Sequence, residues 1–442
     1  MGDARPQIVV LGGGFGGLAT VHGLRHADAD VLLVDKRNHH LFQPLLYQVA
    51  TSSLDESDIA MPIRSVLRRQ KNAMVVLSRA QSIDLDKKCL VFEGMDDGRP
   101  EPMDWDWLVI ATGAHHAYFG HDEWAKFAPG LKTLEDAINI RSRFLLAFEN
   151  AEVEGDEAAR QAELTFVIVG GGPTGCELAG SMAQCARKSM PRDFRGIDTR
   201  TAKIILVQGG DRVLPSFSAK TSKRAQKTLD RMGVEVRLGG HVTDITEDGV
   251  FVGDTFTPAR NVFWAAGVQA PALTRTMGID VDRAGRIPVG PDCSITGHPN
   301  AFAIGDVALA TCARTGKSVP GVAQGALQMG RHVGRIIATE LGGSNAARPG
   351  FAYRDKGSLA SLGRGRAVAD IWGMSLSGIP AWCVWFLVHI MFLVGFRNRV
   401  SVLLQWGVQG LLRQRGARII AGEEDVRVKL PELPSDRHSR RT

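Results

Sequence analysis

The chain has 442 residues, of which 44% are hydrophobic and 23% charged, and its formal net charge is +6. This length predicts two or three domains with buried cores, and the mild positive excess gives little support for a nucleic-acid-binding protein. The six cysteines form no C-x-x-C pair and no longer metal-ligand array, so the sequence predicts neither a redox-active dithiol nor a metal site.

The first elements of the chain form a predicted β-α-β unit. An apolar run at residues 7–11 indicates a buried strand, residues 15–24 indicate a helix, and residues 31–34 indicate a second strand that closes on Asp35. A β-α-β unit of about 30 residues is typical of a parallel sheet.

The loop between this first strand and helix is rich in glycine, with Gly12, Gly14, Gly16 and Gly17 among its residues. Gly12, Gly14 and Gly17 match G-x-G-x-x-G, which permits a tight turn, close approach of a diphosphate and packing of the helix on the strand. The start of the helix would then bind the phosphates. Asp35 stands where a carboxylate accepts hydrogen bonds from both ribose hydroxyls. The pattern therefore predicts dinucleotide binding, with a plain glycine-rich turn as the alternative.

The same succession of elements recurs in the middle of the chain. Residues 164–169 are a predicted strand, residues 176–186 a helix and residues 203–207 another strand. Two such units in one chain predict an internal duplication and an α/β fold.

The second unit carries its own glycine loop, in which Gly170, Gly172 and Gly175 repeat the spacing of the first. Its second strand ends on Gln208 and not on an acid. Two intact loops favour one tightly held and one exchanging dinucleotide, and a structural duplicate without a ligand is the alternative. Glu177 is predicted in the first turn of the following helix, where stabilisation of the helix dipole is an alternative to a functional role.

Three other segments are predicted to be apolar strands. Residues 105–113 and 261–267 each run into Ala-x-Gly, and residues 300–306 end in Gly305 and Asp306. Asp306 is predicted either to cap a helix or to accept a hydrogen bond from a ribityl hydroxyl.

The C-terminal part of the chain is apolar and then amphipathic. Residues 379–396 would span roughly 27 Å as one helix, against ~30 Å for a bilayer core. The next helix has a predicted apolar face of Val400, Leu403, Leu404, Val408, Leu411 and Leu412 and a polar face of Gln405, Gln409 and Arg413. Residues 397–418 contain five arginines and no acid. The pattern favours a helix in a membrane interface, with a pair of core or dimer-interface helices as the alternative.

In combination, these residues resemble the type II NADH:quinone oxidoreductases, single-subunit respiratory dehydrogenases that do not pump protons. The resemblance extends from the first glycine loop to about Arg415. It rests on residues 38–50 (NHHLFQPLLYQVA), 57–64 (SDIAMPIR), 170–180 (GGGPTGCELAG), 299–307 (PNAFAIGDV), 323–330 (AQGALQMG), 353–362 (YRDKGSLASL) and the aromatic segment 381–399.

The resemblance implies an α/β fold with two Rossmann-like domains and a C-terminal helical membrane-association region. The implied FAD-binding domain comprises residues 1–115 and 291–345, and the NAD(P)H-binding domain, residues 116–290, is inserted into it. Residues 346–420 would form the membrane-associating region. Residues 421–442, which are charged and contain proline, are predicted to form a flexible tail.

The resemblance also implies three sets of site residues. The implied FAD site consists of Gly12, Gly14, Gly16, Gly17, Asp35, Gln43, Ala80, Thr112, Gly113, Gly305 and Asp306. The implied nicotinamide-nucleotide site consists of Gly170, Gly172, Gly175, Gln208, Ala266 and Gly267, with the last two near its reactive end. The implied quinone site contains Gln324 and Gln328 with Lys356 nearby, and Glu177 matches a family glutamate between the nucleotide and quinone sites.

The implied reaction transfers hydride from NADH to FAD and then two electrons to a membrane quinone, without proton pumping. Gln208 replaces a glutamate of many relatives, so NADPH is expected as a second donor. The implied partners are a membrane quinone, NADH, a lipid bilayer surface and a second copy of the chain, with peripheral, monotopic attachment to the cytoplasmic face of the cell inner membrane. The alternatives are a sulfide:quinone-type or other pyridine-nucleotide flavoprotein reductase, and a non-catalytic flavin or NAD sensor.

Overall fold

The structure is a computed structural model that describes residues 5–93, 101–412 and 417–420. At residues 101 and 408–412 it describes the backbone alone. The predicted tail at residues 421–442 lies outside the described residues, as does Arg413 of the predicted polar face.

The described strands and helices are labelled in chain order. The strands are β1 (Gln7–Leu11), β2 (Asp30–Asp35), β3 (His39–Leu41), β4 (Ala60–Pro62), β5 (Ala73–Leu77), β6 (Ala80–Asp84), β7 (Cys89–Phe92), β8 (Glu101–Asp104), β9 (Trp107–Ile110), β10 (His115–His116), β11 (Thr165–Val169), β12 (Lys203–Gln208), β13 (Val234–Leu238), β14 (Val242–Ile245), β15 (Gly249–Val252), β16 (Thr255–Pro258), β17 (Asn261–Trp264), β18 (Val268–Gln269), β19 (Ile287–Pro288), β20 (Ser294–Ile295), β21 (His298–Ala303), β22 (Ala308–Leu309), β23 (Ser358–Gly363), β24 (Arg366–Ile371) and β25 (Met374–Gly378). The helices are α1 (Phe15–Gly23), α2 (Leu46–Ala50), α3 (Glu56–Ile59), α4 (Ile63–Leu67), α5 (Leu134–Val153), α6 (Glu157–Glu163), α7 (Pro173–Gln184), α8 (Ala219–Arg231), α9 (Ala323–Leu341), α10 (Ile379–Phe392) and α11 (Phe396–Leu412).

The chain divides into two compact units, each assembled from segments that are distant in sequence. Unit 1 contains the described residues of Met1–Leu41, Ala60–Ala117 and Val268–Lys356, and unit 2 contains those of Phe42–Ile59, Tyr118–Gly267 and Gly357–Thr442. Each unit holds one of the two glycine loops.

Unit 1 is organised around a six-stranded sheet in the order β20-β21-β9-β1-β2-β5. β1 pairs in parallel with β2 on one side and with β9 on the other. α1 packs closely on α9 because glycines face the contact. A Cβ at Gly330 would collide with the carbonyl oxygen of Gly16, and a Cβ at Gly334 would lie 2.9 Å from the carbonyl oxygen of Thr20.

Unit 2 contains a four-stranded parallel sheet in the order β13-β12-β11-β17. All five residues of β11 are buried, as expected for a parallel strand covered on both faces. The chain adds β12 and β13 on one side of β11 and β17 on the other, so the second glycine loop lies at the switch point in strand order. The predicted α/β fold with two Rossmann-like sheets is confirmed.

The C-terminal segment of unit 2 begins with a sheet that the sequence analysis did not predict, in which β24 pairs antiparallel with β23 and β25. The apolar run at residues 379–396 is not one helix, because α10 ends before Leu393, which is extended, and Gly395 has φ +89°. The Arg399 guanidinium donates to the carbonyl oxygens of Leu393 at 2.8 Å and Met391 at 3.0 Å, which satisfies carbonyls at this helix end. No helix in the described part of the chain is both long and apolar enough to cross a membrane.

Candidate functional site

The first glycine loop, between β1 and α1, excludes side chains where the motif requires glycine. Gly12 has φ +108°, and a Cβ there would collide with the carbonyl oxygen of Ala111. A Cβ at Gly17 would collide with the carbonyl oxygen of Gly12. Nothing lies within 4 Å of a Cβ placed at Gly14, so the backbone faces open space at the start of α1. A diphosphate binds favourably at such a helix N-terminus.

Asp35 joins the end of β2 to this loop. Its carboxylate accepts hydrogen bonds from the N–H groups of Gly13 at 2.5 Å and Arg37 at 2.8 Å. A carboxylate has about four acceptor positions, so these two bonds leave capacity for ribose hydroxyls. Below the loop, His40 Nδ1 lies 3.0 Å from the carbonyl oxygen of Gly13, and burial lowers the pKa of His40.

Thr112, which follows β9, carries a polar atom that fits a bound ligand. Its hydroxyl oxygen is buried and has no hydrogen-bond partner among the described residues. A buried hydroxyl without a partner is costly, and a polar group of a ligand would satisfy it. Nothing lies within 4 Å of a Cβ placed at the adjoining Gly113, which has φ +69°. Together with Gly14, these residues form a cradle whose open backbone and orphan hydroxyl fit FAD.

The remaining predicted FAD residues occupy three places. Ala80 begins β6, and Asp306 lies within a short 3-10 turn, Gly305–Val307, whose N-cap is Ile304. The predicted helix-capping role of Asp306 was therefore wrong. Gln43 belongs to unit 2, where its Nε2 donates to the carbonyl oxygen of Lys132 at 3.4 Å.

The second glycine loop, between β11 and α7, repeats the geometry of the first. Gly170 has φ +112°, and a Cβ there would lie 2.6 Å from the carbonyl oxygen of Ala265. A Cβ at Gly175 would collide with the carbonyl oxygen of Gly170, whereas nothing lies within 4 Å of a Cβ at Gly172. The second loop therefore has the same open approach to a helix N-terminus.

Gln208, at the end of β12, binds its glycine loop as Asp35 does at the end of β2. Its Oε1 accepts a hydrogen bond from the N–H of Gly171 at 2.7 Å. The amide nitrogen of Gln208, Nε2, would lie 3.0 Å from a Cβ placed at Gly210. The strand end consequently presents an N–H donor where Asp35 presents a second carboxylate oxygen.

A cleft of about 520 Å³ adjoins the second loop within unit 2. It is lined by Gly170, Gln208 and Ala266 of the predicted nucleotide residues. Its aromatic and imidazole side chains were not predicted from the sequence; they are Phe119, His121, Trp124, His241 and Trp264. No spacing rule connects these residues, because the fold brings them together from separate stretches of the chain.

Glu177 is buried, with only 9% of its surface exposed. It is the fifth residue of α7, which begins at Pro173, so the predicted position in the first turn was wrong. The N–H of Ser361, on β23, donates to Glu177 Oε1 at 3.1 Å. Burial raises the pKa of Glu177 to about 8, and the Ser361 hydrogen bond opposes this only in part. Burial therefore favours the protonated carboxyl over the carboxylate.

Gln324 and Gln328 stand one turn apart on α9 and bind the same stretch of backbone. Gln324 Oε1 accepts from the N–H of Lys356 at 3.2 Å. Gln328 forms a pair of bonds with Arg354, accepting from its N–H at 2.9 Å and donating to its carbonyl oxygen at 3.0 Å. The three predicted quinone-site residues are thus brought together in unit 1, through main-chain contacts that the sequence did not predict.

Comparison with known proteins identifies the family. Residues 6–330 match the family model of the pyridine nucleotide-disulphide oxidoreductases, and residues 356–414 match that of the NDH2 C-terminal domain. The chain is 42% identical over 440 residues to the type II NADH:quinone oxidoreductase Ndh of Mycobacterium tuberculosis, which covers 97% of this chain and 93% of that protein. The chain belongs to the type II NADH:quinone oxidoreductase family.

Two further proteins are similar along most of their length. The type II NADH:quinone oxidoreductase NdhA of Mycobacterium tuberculosis is 41% identical over 431 residues, which are 95% of this chain and 90% of that protein. The structure of NDH2 from Plasmodium falciparum in complex with NADH superimposes with a TM-score of 0.84 at 20% identity, covering 95% of this chain and 100% of the other. The chain therefore shares the fold of NDH2 over 95% of its length, and it is an enzyme.

Proposed function

We propose that the enzyme binds FAD at the glycine loop of unit 1 and NADH at the glycine loop of unit 2, and reduces a membrane quinone without pumping protons. The observation that carries this proposal is the duplication of one binding geometry. In each unit a strand-end side chain accepts from the N–H of the second loop glycine, at 2.5 Å from Asp35 and 2.7 Å from Gln208.

A bound FAD supplies the chemistry that a polypeptide lacks, since it accepts a hydride and passes on two electrons. The chain contributes position. The start of α1 and the open backbone at Gly14 receive the diphosphate, and the remaining acceptor positions of Asp35 bind ribose hydroxyls. The orphan hydroxyl of Thr112 hydrogen-bonds the cofactor.

NADH occupies the cleft of unit 2. The open backbone at Gly172 and the start of α7 receive its diphosphate, while the amide of Gln208 meets the adenosine ribose. The N–H of the neutral amide also donates to the 2′-phosphate of NADPH without charge repulsion, so we propose NADH as the main donor and NADPH as a second one.

The quinone head group binds at Gln324 and Gln328, beside Lys356. We infer that Glu177 acts as a general acid in the reaction, because its carboxyl is buried, accepts a hydrogen bond from the N–H of Ser361 and has a pKa raised to about 8. The protonated carboxyl is the state that a general acid requires.

The C-terminal helices attach the enzyme to a membrane surface. α10 exposes Ile379, Cys383, Leu387 and Met391 at every fourth position, and we call this row the α10 stripe. α11 exposes Phe396, Val400, Leu403 and Leu404, which we call the α11 stripe. Exposed apolar rows of this size mark interaction surfaces, and with the nearby arginines they suit a leaflet with anionic lipids. We propose monotopic attachment to the cytoplasmic face of the cell inner membrane.

The opposite side of α11 is polar and packs on the protein. Asp58 accepts hydrogen bonds from Ser401 Oγ and Gln405 Nε2, both at 2.7 Å, and Trp406 Nε1 donates to Gln48 Oε1 at 2.8 Å. The polar side of α11 is hydrogen-bonded to residues of unit 2, so its apolar side is the one that a lipid surface would contact. This arrangement favours a lipid surface over a buried core helix.

Anaerobic addition of NADH to the FAD-loaded enzyme tests the proposed reaction. The flavin absorbance should bleach rapidly and return when a quinone is added. A stable flavin spectrum in excess NADH and NADPH would contradict the proposal and would favour a non-catalytic nucleotide sensor.

A further inference from the structure

Phe119 combines an exposed aromatic side chain with an unusual backbone conformation. Its side chain is 72% exposed, although phenylalanine is usually buried. Its backbone has φ +56°, in the left-handed region, and Gly120 follows with φ +100°. A bulky residue with positive φ is a genuine outlier, and such strain is concentrated at ligand sites.

The phenyl ring lies along one wall of the cleft in unit 2. Its edge rests on the chain after β17, where a Cβ at Gly267 would be 2.5 Å from Phe119 Cζ. The ring centroid is 6.1 Å from that of Trp264, at an interplanar angle of 57°. Trp264 is itself buried and supports the exposed ring from below. Glycine is therefore required at position 267 for the ring to stand where it does.

The topology of the sheet assigns this wall to one end of the nucleotide. In a sheet with the order β13-β12-β11-β17, the diphosphate lies at the loop after β11 and the adenosine at the end of β12. The other half of the dinucleotide then extends over the end of β17. Gly267 follows this strand, so Phe119 stands at the end that receives the nicotinamide.

We propose that Phe119 is the aromatic wall against which the nicotinamide ring of NADH stacks, an inference that rests on the proposed NADH site in unit 2. The exposed face of the phenyl ring matches the planar nicotinamide, and the strained backbone holds that face towards the cleft. Phe119 is thus a positioning residue that selects for the nicotinamide half of the donor.

Binding of two ligands to the oxidised, FAD-loaded enzyme separates this role from a general structural one. NAD⁺ contains the nicotinamide, whereas ADP-ribose lacks it but retains the adenosine diphosphate. Phe119→Ala should weaken NAD⁺ binding about three- to tenfold, the range for one aromatic contact, and leave ADP-ribose binding unchanged. Phe119→Tyr keeps the ring and should bind both ligands as the wild type does. In steady-state assays, Phe119→Ala should raise the KM for NADH by the same factor.

Phe119→Gly provides the second measurement, because glycine accepts the left-handed backbone without strain. The variant should match Phe119→Ala in its loss of NAD⁺ affinity and should unfold at the same or a higher temperature than the wild type. Equal loss of NAD⁺ and ADP-ribose affinity, unchanged or tighter NAD⁺ binding in Phe119→Ala, or a lowered unfolding temperature of Phe119→Gly would each overturn the stacking role alone. Failure of the wild type to bind either ligand would overturn the proposed NADH site as well.

Discussion

Asp35 and Gln208 are the side chains at the two strand ends. Asp35 presents a charged carboxylate to a nucleotide, whereas Gln208 is one methylene longer and presents a neutral amide. Each donates nothing to its loop and accepts from the N–H of Gly13 or Gly171. The loop geometry is therefore independent of the charge of the side chain. The charge instead decides which ribose substituent is accepted, because a carboxylate repels a 2′-phosphate and an amide does not.

Gln208→Glu should lower kcat/KM for NADPH about tenfold or more and that for NADH by less than about threefold, since a like charge at ~4 Å costs a few kcal/mol near a surface before screening. The glutamate retains an oxygen for Gly171, so the loop should be undisturbed. Both ratios are measured at low salt, with Gln208→Met as a control that removes the amide without adding charge. An unchanged NADPH-to-NADH ratio in Gln208→Glu would show that residue 208 does not face the 2′ position.

Arg212 lies four residues after Gln208 and has its own contact. Its guanidinium donates to the carbonyl oxygen of Pro215 at 3.0 Å. His241 lies beside the strand end, since a Cβ at Gly209 would be 2.7 Å from its ring. We therefore expect the imidazole to contribute more than Arg212 to the selection between donors.

Glu177→Gln should stabilise the protein at pH 8.5 and have little effect at pH 4.5. Burial raises the pKa of Glu177 from 4.5 to about 8, so between these values the unfolded chain ionises the carboxyl while the folded chain keeps its proton. The wild type therefore loses stability as the pH rises through this window, by on the order of a few kcal/mol, and a glutamine does not.

Denaturant unfolding of the two proteins across this pH range measures the difference. Glu149→Gln, at an exposed position of α5, is the matched control and should show no such divergence. If the stability difference between wild type and Glu177→Gln were the same at every pH, the carboxyl would be ionised in the folded enzyme and a role as proton donor would be excluded.

Helix α9 is joined to the chain that precedes β23 by Gln324 and Gln328. The bonds to Lys356 and Arg354 hold this segment on one face of the helix. Gln328 makes two of the three bonds. Replacing Gln328 would therefore disturb the backbone more than replacing Gln324, which makes Gln324 the better probe of the proposed quinone site.

Gln324→Ala should slow the return of flavin absorbance on addition of quinone by about tenfold, and leave bleaching by NADH within about twofold of the wild type. One hydrogen bond to a polar group contributes about 1–1.5 kcal/mol, which is close to a factor of ten. Stopped-flow measurement of each half-reaction tests this, with Gln226→Ala, a half-buried glutamine of α8, as the control. Equal slowing of both half-reactions would count against the quinone assignment.

The exposed α10 and α11 stripes are the surface that we assign to the membrane. Removing all residues from 379 onward would also remove buried Trp385 and Val402 and the bonds to Asp58. Such a truncation tests stability together with attachment. Charge substitutions on the exposed stripes leave the buried residues in place, so they test membrane attachment separately from stability.

The double variant Leu387→Glu with Leu404→Glu should lose association with anionic vesicles by about tenfold or more while remaining folded. Each glutamate replaces apolar area at an exposed position and repels the lipid charge. Met74→Glu with Leu77→Glu, two similarly exposed apolar residues of β5, is the matched control and should still sediment with vesicles. Retained sedimentation of the first variant would assign attachment to another surface.

The glycine loops were predictable from the sequence because their constraints are local. Gly12 and Gly170 need positive φ, Gly17 and Gly175 need the absence of a Cβ, and both facts follow from a short spacing within one β-α-β unit. The resemblance to the family rested on equally local segments. The strand ends at residues 35 and 208 were likewise found to within a residue.

Only the tertiary structure decided what surrounds these loops. The burial of Glu177 depends on β23, and the position of the Phe119 ring depends on Gly267, so neither follows from a pattern near that residue. The end of α10 is stabilised by the Arg399 guanidinium of α11, and a count of hydrophobic residues does not predict this contact. Local steric constraints depend on neighbouring residues and can therefore be predicted from the sequence. Desolvation and long-range hydrogen bonds arise only when the chain has brought distant residues together.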